Sequence, residues 1–543
     1  MSEPAAPDAR KGEGRFGAVV VLLGVVLTNL GVWRAGIPFE DESSHINDGF
    51  RVLRGEHSTN LYSLLYGALL GTVAPDPMDA HVIMRFVASV GSTLGLFYVL
   101  RAFRGLRSTA IVVASLVWGC SALCTPPTQN GNICVFSLAL ILPALGYVLR
   151  ETSALSLFTF ALAAFWTAQV RPEYLAPMIL IPVGGVIYLR RKRRHASNGE
   201  VPSNRGRRWK TVLVAAALVA SFPVASAFRS PTKTKVGAYL LLGLGQCYAA
   251  YYGDRHPEEH FTAMTEYEPI LNRVFGNPRS FMDAAANNPR ELVRYLAANG
   301  FHNLIKVPRA LVSSRNKLYN VIVLGFIVVG GTIGLRSLRR RQQDDRPLMA
   351  LINSDDLWRL CLLSLFASAS SCSILLLVPA SRYWISFVPL FYVLLAWSLH
   401  NVLSKYFVSI PDRIIRAVAI VVFGFPVFIG VRSDRGLMDV VRAAESGLDH
   451  PPVIAGNWVV PFNTFAFKDQ AIATGEDSGL TIDELRSRRC DIIVMDSLMQ
   501  TRFAATNRAY LQQLASSPES VGYRPLPEAA QYGWTLYVRE AAR

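Results

Sequence analysis

Three consecutive acidic residues, Glu40, Asp41 and Glu42, follow the first long apolar stretch of the chain. Carboxylates this close repel one another, which raises their affinity for protons and suits one of them to act as a general base. The same oxygen-rich cluster also suits a divalent cation. A solvated acidic loop end is the plain alternative, so the spacing alone leaves these interpretations open.

A second polar group, Arg171-Pro-Glu173, separates two apolar segments. Ionised side chains within a membrane domain are costly unless they are paired or functional. Either Arg171 pairs with Glu173, or Arg171 binds a phosphate, to which the guanidinium fork is well suited. Arg85 lies near the start of the apolar segment 82–100, and Arg382 lies just before the segment 384–400.

The composition describes the setting in which these residues act. The 543-residue chain is 51% hydrophobic and 17% charged, with mean hydropathy +0.28, whereas soluble domains carry about 25% charged residues. This argues against a soluble enzyme and against a disordered chain. The net charge of +16 fits cytoplasmic Lys and Arg better than nucleic-acid binding. The seven cysteines show no C-x-x-C spacing, so we expect neither a disulfide framework nor a structural zinc site.

Eleven apolar segments approach the roughly 20 residues that a helix needs to cross a bilayer. They are residues 16–34, 82–100, 108–123, 133–149, 154–170, 174–189, 211–228, 318–335, 357–378, 384–400 and 413–431. We therefore predict an α-helical polytopic membrane domain over residues 1–431, with the first segment retained as an anchor. A twelfth stretch, Val236–Tyr252, is expected to lie at the membrane interface or to re-enter the membrane.

The distribution of Lys and Arg predicts the orientation. With a cytoplasmic N-terminus, the inside segments carry 24 Lys and Arg residues and the short outside loops carry 5, as the positive-inside rule requires. The basic run 190–194 is then a topology anchor. Three regions fall outside, namely the loop 35–81, the long loop 229–317 and the tail 432–543. Extracytoplasmic chemistry belongs in these regions.

The sequence of the tail 432–543 predicts a small extracytoplasmic α/β domain. Short apolar runs between polar residues indicate buried strands, and a capping-box pattern from Thr481 to Glu484 indicates a helix start. The predicted strands are residues 453–457, 471–475, 490–496 and 532–538, and the predicted helices are 481–489 and 503–516.

In the long loop 229–317 the sequence predicts a helix that begins at Pro289, because proline is favoured at the first position of a helix. Its Leu292, Leu296 and Leu304 would form an apolar stripe. That stripe lies either on the membrane surface or against the rest of the loop.

The acidic pair begins a longer pattern in the first outside loop. The segment Asp41-Glu-Ser-Ser-His-Ile-Asn-Asp-Gly-Phe-Arg-Val-Leu-Arg-Gly55 ends in the sequence Leu-x-Gly, formed by Leu53 and Gly55, with Phe50 before them. The run Asn60-Leu-Tyr-Ser-Leu-Leu-Tyr66 follows. Further along stand Met84-Arg85-Phe86 and, late in the chain, Ser381-Arg382-Tyr383 with Pro389 after it.

This pattern resembles that of the GT-C fold glycosyltransferases, in particular the protein O-mannosyltransferases and the aminoarabinose transferase that acts on lipid A. The resemblance covers most of the chain as a layout and about 60 residues as motif. It implies inverting transfer of a sugar from a polyprenyl-phosphate donor to an acceptor hydroxyl, outside the cytoplasm at the inner (plasma) membrane. The implied partners are this donor, membrane lipid, and a glycan, lipid or protein acceptor, with no nucleic acid.

The resemblance also implies roles for individual residues. Asp41 is the expected general base, with Glu42 second. The expected ligands of the donor phosphate are Arg85, Arg382 and Arg171, with Lys233 and Lys235 as weaker candidates. The expected substrate contacts are Tyr383, His45 and Asn130. The resemblance fixes no cofactor and leaves metal dependence open, and the acids allow a divalent cation.

One loop departs from the family pattern. Many relatives carry an acidic residue between the third and fourth spans, and here residues 124–132 contain none. Two other classes of function stay open. A transporter or lipid flippase predicts ionisable residues near the bilayer centre and an internal repeat, and a catalytically inactive scaffold would use its tail to bind a partner.

Overall fold

The structure is a computed structural model, which describes only part of the chain. The described residues are 7–31, 41–58, 60–75, 77–103, 105–121, 123–124, 132–195, 205–228, 236–256, 258–259, 267–311, 317–342, 354–370, 385–424, 454–456, 471–473, 491–495, 513–532 and 535–540.

The described residues are mostly helical. The helices are α1 Pro7–Gly31, α2 Asp41–Leu53, α3 Leu61–Thr72, α4 Pro77–Leu100, α5 Ser108–Gly119, α6 Asn132–Arg150, α7 Ala154–Val170, α8 Leu175–His195, α9 Arg205–Phe228, α10 Val236–Gly253, α11 Tyr267–Phe275, α12 Phe281–Asn287, α13 Pro289–Leu311, α14 Lys317–Gln342, α15 Ser354–Ser370, α16 Val388–Tyr406 and α17 Asp412–Gly424. Each of the eleven predicted spans overlaps one of these helices.

Four of the described helices are long and apolar enough to cross a membrane, namely Asp79–Leu100, Ile133–Arg150, Pro172–Lys192 and Ile385–Tyr406. Shorter apolar helices accompany them at Gly14–Leu30, Leu61–Thr72, Ser108–Gly119, Ala154–Val170, Trp209–Ala225 and Val323–Gly334. A 12-residue helix such as α3 is about 18 Å long, whereas the hydrocarbon core is roughly 30 Å thick. The helices are thus those of a membrane protein, while the count of eleven spans stays a prediction.

Helices α4 and α6 run parallel and cross at very short range. A Cβ on Gly91 would lie 2.8 Å from Cβ of Ala139, and a Cβ on Gly95 would lie 2.8 Å from Cβ of Leu142. The later residue of α4 meets the later residue of α6, so the two helices run in the same direction. Glycine at these positions permits the close approach, as small residues do at helix contacts in membranes.

One end of the bundle, which we call the first-loop end, is where α3 meets the main helices. The ring of Tyr62 on α3 contacts Phe136 near the start of α6. Tyr174, just before α8, packs against Phe366 in the last turns of α15. The starts of α6 and α8 and the final turns of α15 therefore share this end.

The opposite end is held by a polar network around Arg107, the residue before α5. Its backbone N–H donates to Nδ1 of His400 at 3.1 Å, and its Nη1 donates to the carbonyl of Leu403 at 3.1 Å, both on α16. Its guanidinium pairs with Asp412 on α17, which Arg416 approaches at 3.7 Å. The network joins α5, α16 and α17, and its basic residues belong to segments that the positive-inside rule assigns to the cytoplasm.

The long loop 229–317 contains a small helical unit built from α10, α11, α12 and α13. Its core is centred on Tyr248, Phe275 and Tyr295. Burial, together with the hydrogen bond that Tyr248 donates to Glu291 at 3.1 Å, raises the pKa of Tyr248 above its ordinary value. Val236–Tyr252 is helix α10, and its second half packs against this core; its expected place at the interface or re-entering the membrane stays a prediction.

Helix α13 begins at Pro289, as the sequence predicts. Asn288 caps it, since its Oδ1 accepts the N–H of Glu291 at 3.2 Å. Leu292 is buried in the core of the loop unit and Leu296 packs against that core, whereas the side chain of Leu304 lies outside the described residues. The described part of the leucine stripe thus faces the loop, which was the second of the two alternatives.

The tail contains a five-stranded sheet in the order β2-β1-β3-β5-β4. Its strands are β1 Ile454–Gly456, β2 Ala471–Ala473, β3 Ile492–Met495, β4 Tyr523–Leu526 and β5 Thr535–Arg539. β1 pairs in parallel with β2 and β3, and β5 pairs antiparallel with β3 and β4. The sheet is therefore mixed, as in many α/β modules.

The four predicted strands of the tail are confirmed, with shifted boundaries. β4 was not predicted, because Pro525 interrupts its sequence; its edge position in the sheet tolerates a proline. The predicted helix 481–489 lies outside the described residues, and of the predicted helix 503–516 only residues 513–516 are described, as helix. The extracytoplasmic location of the tail stays a prediction.

Candidate active site at the first-loop end

Helix α2 carries the acidic pair Asp41-Glu42 in its first turn, where the helix dipole favours negative charge. The helix forms because apolar side chains recur on one face, and Ile46 and Phe50 on that face are buried. Just beyond the helix, Gly55 adopts a left-handed conformation with φ +84°. The resemblance to the GT-C enzymes implies an amphipathic helix that ends in a Leu-x-Gly turn, and both are present here.

Helix α3 packs across α2, and two glycines form the point of closest approach. A Cβ on Gly49 would lie 2.9 Å from the backbone nitrogen of Gly67, and a Cβ on Gly67 would lie 3.0 Å from the carbonyl oxygen of Gly49. α3 is capped by Asn60, whose Oδ1 accepts the N–H of Ser63 at 2.9 Å. These contacts make α2 and α3 a compact hairpin, and that hairpin positions the acidic N-terminus of α2.

A chain of rings connects α2 to α4. His45, one turn after Asp41, packs edge-on against Tyr62 with 5.3 Å between ring centroids, and Tyr62 packs edge-on against Tyr66 at 5.3 Å. The hydroxyl of Tyr66 lies 3.3 Å from Nδ1 of His81 on α4. His45 is partly buried and the other three rings are buried. The predicted substrate contact His45 therefore stands within the connection between the acidic helix and α4.

Arg85 follows His81 by one turn of α4 and is fully buried. Because α4 begins at Pro77, Arg85 lies about two turns inside the helix rather than at its start. A buried guanidinium is costly unless anions or dipoles face it. Arg85 is therefore a buried cation for which the proposed chemistry offers a role.

Arg85 belongs to a buried polar stripe on α4 that the sequence analysis missed. The stripe consists of side chains spaced four residues apart, all fully buried: His81, Arg85, Ser89 and Thr93. Polar residues at this spacing in an otherwise apolar helix share one face, and that spacing is the signal that would have found them.

The polar stripe is extended by side chains of neighbouring helices. Asn29 on α1 donates its Nδ2–H to Oγ of Ser89 at 2.8 Å. The indole N–H of Trp118 on α5 donates to Oγ of Ser92 on α4 at 3.2 Å. These hydrogen bonds join α1 and α5 to α4 one to two turns after Arg85.

Arg171 lies at the first-loop end, between α7 and α8. Its guanidinium contacts the carboxylate of Glu173 and the Sγ atom of Cys134 at the start of α6. Pairing with Glu173 was one of the two alternatives that the sequence left open. Because this carboxylate compensates the charge, Arg171 offers a phosphate less attraction than an arginine without an acidic neighbour.

The remaining predicted site residues are not located by the described part of the chain. Outside it lie Glu40, Asn130, Lys233, Lys235, Arg382 and Tyr383, together with the side chains of Asp41 and Glu42. The segment that carries Arg382 and Tyr383 follows α15, which reaches the first-loop end through Phe366. The roles of these residues stay predictions.

Among the described residues, no group of three His, Cys, Asp or Glu side chains is arranged to hold a metal ion. The acidic side chains at 40–42 are not among those residues. The divalent cation that the sequence allowed there therefore stays a prediction.

No protein-family model matches the chain, and no curated protein matches it either. The function has to be inferred from the residues, their geometry and the motif resemblance.

Proposed function

We propose that the chain is an integral-membrane glycosyltransferase of the GT-C type. It transfers a sugar from a polyprenyl-phosphate donor to an acceptor hydroxyl on the extracytoplasmic side of the membrane, with inversion. The first-loop end is the active-site end, and the Arg107 network marks the cytoplasmic end. The tail sheet and the long loop 229–317 shape the acceptor side.

The proposed reaction is a single displacement at the anomeric carbon. Asp41 accepts the proton of the acceptor hydroxyl as that oxygen forms the new glycosidic bond. The bond between the anomeric carbon and the phosphate oxygen breaks, and the lipid phosphate leaves with the electron pair. Arg85 stabilises the charge that develops on this phosphate, and Arg382 is its expected partner.

The observation that carries the proposal is the contact chain from α2 to α4. The acidic pair begins α2, and the rings of His45, Tyr62, Tyr66 and His81 lead from the next turn of that helix to the turn before Arg85. A base and a phosphate-binding cation need to flank one reacting centre. The ring chain supports this arrangement, because it ties the helix that carries the base to the helix that carries the cation.

The buried polar stripe on α4 supports a second candidate, a transporter or flippase for a lipid phosphate. Buried polar side chains along one helix face are typical of substrate paths in membrane proteins. A transporter would need the stripe and Arg85, but it would not need a general base at the N-terminus of α2. Variants of Asp41 therefore separate the two candidates.

The direct test is sugar transfer by the purified, reconstituted chain, supplied with radiolabelled polyprenyl-phosphate sugars and a membrane extract as acceptor. Asp41→Asn should lower the transfer rate by roughly 10²- to 10⁴-fold, the usual contribution of a general base. The matched control is Asp79→Asn, an exposed acid in the first turn of α4, which should leave the rate unchanged.

Arg85→Lys tests the phosphate role. Loss of a charge-assisted hydrogen bond costs about 1.5–3 kcal/mol, or roughly 10- to 150-fold in rate. Its control is Arg359→Lys, another buried arginine, whose Nε donates to the carbonyl of Leu149 in the final turn of α6. Wild-type chain that transfers no sugar and binds no polyprenyl phosphate would refute the proposal. Binding and translocation that do not depend on Asp41 would favour the transporter.

A further inference from the structure

Helix α13 has two apolar faces, and only one of them is covered by the loop unit. Leu292 and Tyr295 are 4% and 1% exposed and face the core of that unit. On the opposite side Val293 and Phe301 are 64% and 66% exposed. Ala297, also exposed, lies one turn from each of them, so the three residues form a continuous stripe along the helix.

Basic residues accompany this stripe. Arg290 and Arg294 are exposed and lie on the same side of α13, because they precede Ala297 by seven and three residues. Arg294 approaches Glu291 only at 3.8 Å, and its side chain is 61% exposed. An apolar stripe bordered by arginines is the pattern of a helix that lies in the headgroup region of an anionic bilayer.

The position of α13 in the chain favours the bilayer over another partner. α13 ends at Leu311 and α14 begins at Lys317, so the five residues between them span at most about 18 Å. The described part of α14 includes the apolar stretch Val323–Gly334. The C-terminal end of α13 therefore lies within a short distance of a helix suited to the membrane interior.

We propose that Val293, Ala297 and Phe301 insert into the headgroup region of an anionic bilayer, with Arg290 and Arg294 on lipid phosphates. This docking holds the loop unit against the membrane. It does not depend on whether the chain transfers sugars, because it requires only that the neighbouring helices lie in a membrane.

Spin-label accessibility in the full chain tests the docking. The native cysteines are replaced, and a label is attached at Phe301→Cys or, as the matched control, at Asn272→Cys on the exposed side of α11. The chain is placed in nanodiscs of two parts phosphatidylcholine to one part phosphatidylglycerol. Oxygen concentrates in the bilayer and a nickel chelate stays in water. We expect the oxygen-to-nickel collision ratio to be severalfold higher at 301 than at 272.

The double variant Arg290→Glu/Arg294→Glu should lower the ratio at 301, and nanodiscs of phosphatidylcholine alone should lower it as well. Equal ratios at 301 and 272 would overturn the proposal. So would a label at 301 that neither reagent reaches, because that result indicates a protein contact.

Hydrogen exchange of the native-sequence chain provides a second measurement that needs no cysteine replacement. We expect exchange in α13 to be slower in the anionic nanodiscs than in the neutral ones, with α11 unchanged. Equal exchange of α13 in both lipids would contradict the docking.

Discussion

Removing the cap of α3 should loosen the hairpin that carries the candidate base. Asn60 is extended, with φ −158° and ψ 167°, and its Oδ1 accepts the N–H of Ser63 at 2.9 Å. Replacing such a cap by alanine costs about 1 kcal/mol. Since 1.36 kcal/mol corresponds to a factor of ten, the opening equilibrium of the first turn of α3 should rise about fivefold in Asn60→Ala.

Hydrogen exchange of the chain in nanodiscs measures this change directly, because exchange of a protected amide follows its opening equilibrium. The amide of Leu64, which donates to the backbone carbonyl of Asn60 at 3.1 Å, should exchange about fivefold faster in Asn60→Ala. The amide of Ser63 loses its acceptor in that variant and should exchange faster still. Asn60→Ser keeps a side-chain acceptor at the cap and should stay close to wild type. Equal protection in the alanine variant, or equal loss in the serine variant, would refute the assignment of the cap.

Two further predictions concern the hairpin and the loop unit. Gly49→Ala should lower the melting temperature, because overpacking against the backbone of Gly67 costs about 1–3 kcal/mol, whereas the helical preference of alanine recovers at most about 1 kcal/mol. The control is Gly105→Ala, where no atom lies within 4 Å of the added carbon, and it should leave the melting temperature unchanged. Equal melting temperatures of the two variants would contradict the crossing of α2 and α3. The hydrogen bond that Arg273 donates to Glu259 at 2.8 Å lowers the pKa of Glu259 below its ordinary 4.5. This hydrogen bond therefore stabilises the folded chain above pH 4.5, and the stabilisation is lost as the pH falls through the lowered pKa. Wild type should therefore melt at a higher temperature than Glu259→Gln at neutral pH and at the same temperature at about pH 2; a difference independent of pH would contradict this coupling.

The parts of the fold that were predictable are those in which the pattern of apolar residues fits only one kind of secondary structure. Residues 133–149 form one long, predominantly apolar run, and α6 follows. Ile492 begins a short apolar run between polar residues, and a buried strand follows. Helix α13 differs, because its leucine stripe and the stripe of Val293 and Phe301 have the same helical spacing. Periodicity predicts the helix but does not tell which face the protein covers.

Apolarity alone does not tell which surroundings cover an apolar segment. Val236–Tyr252 is apolar enough to suggest the membrane, yet its second half packs in an aromatic core with Phe275 and Tyr295. A protein core and a bilayer remove the same side chains from water, so composition does not separate them. The partners that cover α10 come from 20 to 50 residues further along the chain, and no local pattern identifies them.

The sequence identifies those candidate site residues that belong to a contiguous motif. The acidic pair, the turn at Gly55 and Arg85 all belong to the segment that resembles the GT-C enzymes. The connection through Tyr66 and His81 depends on how α3 packs between α2 and α4, which is a tertiary contact. The spacing of His81 and Arg85 was visible in the sequence, but only the burial of both residues gives it significance.

The close crossing of α4 and α6 at Gly91 and Gly95 makes these two helices one rigid unit. Any side chain larger than hydrogen at Gly91 or Gly95 would push them apart, and the interlocked backbones resist sliding and rotation. Arg85 on α4 and Cys134 on α6 therefore keep a fixed separation. The α2–α3 hairpin rests on this pair of helices through Tyr66, whose hydroxyl lies 3.3 Å from Nδ1 of His81 on α4, and through Tyr62, whose ring contacts Phe136 on α6. Because both contacts end on the same two interlocked helices, a displacement of the hairpin is a displacement relative to α4 and α6 together, and never relative to one of them alone.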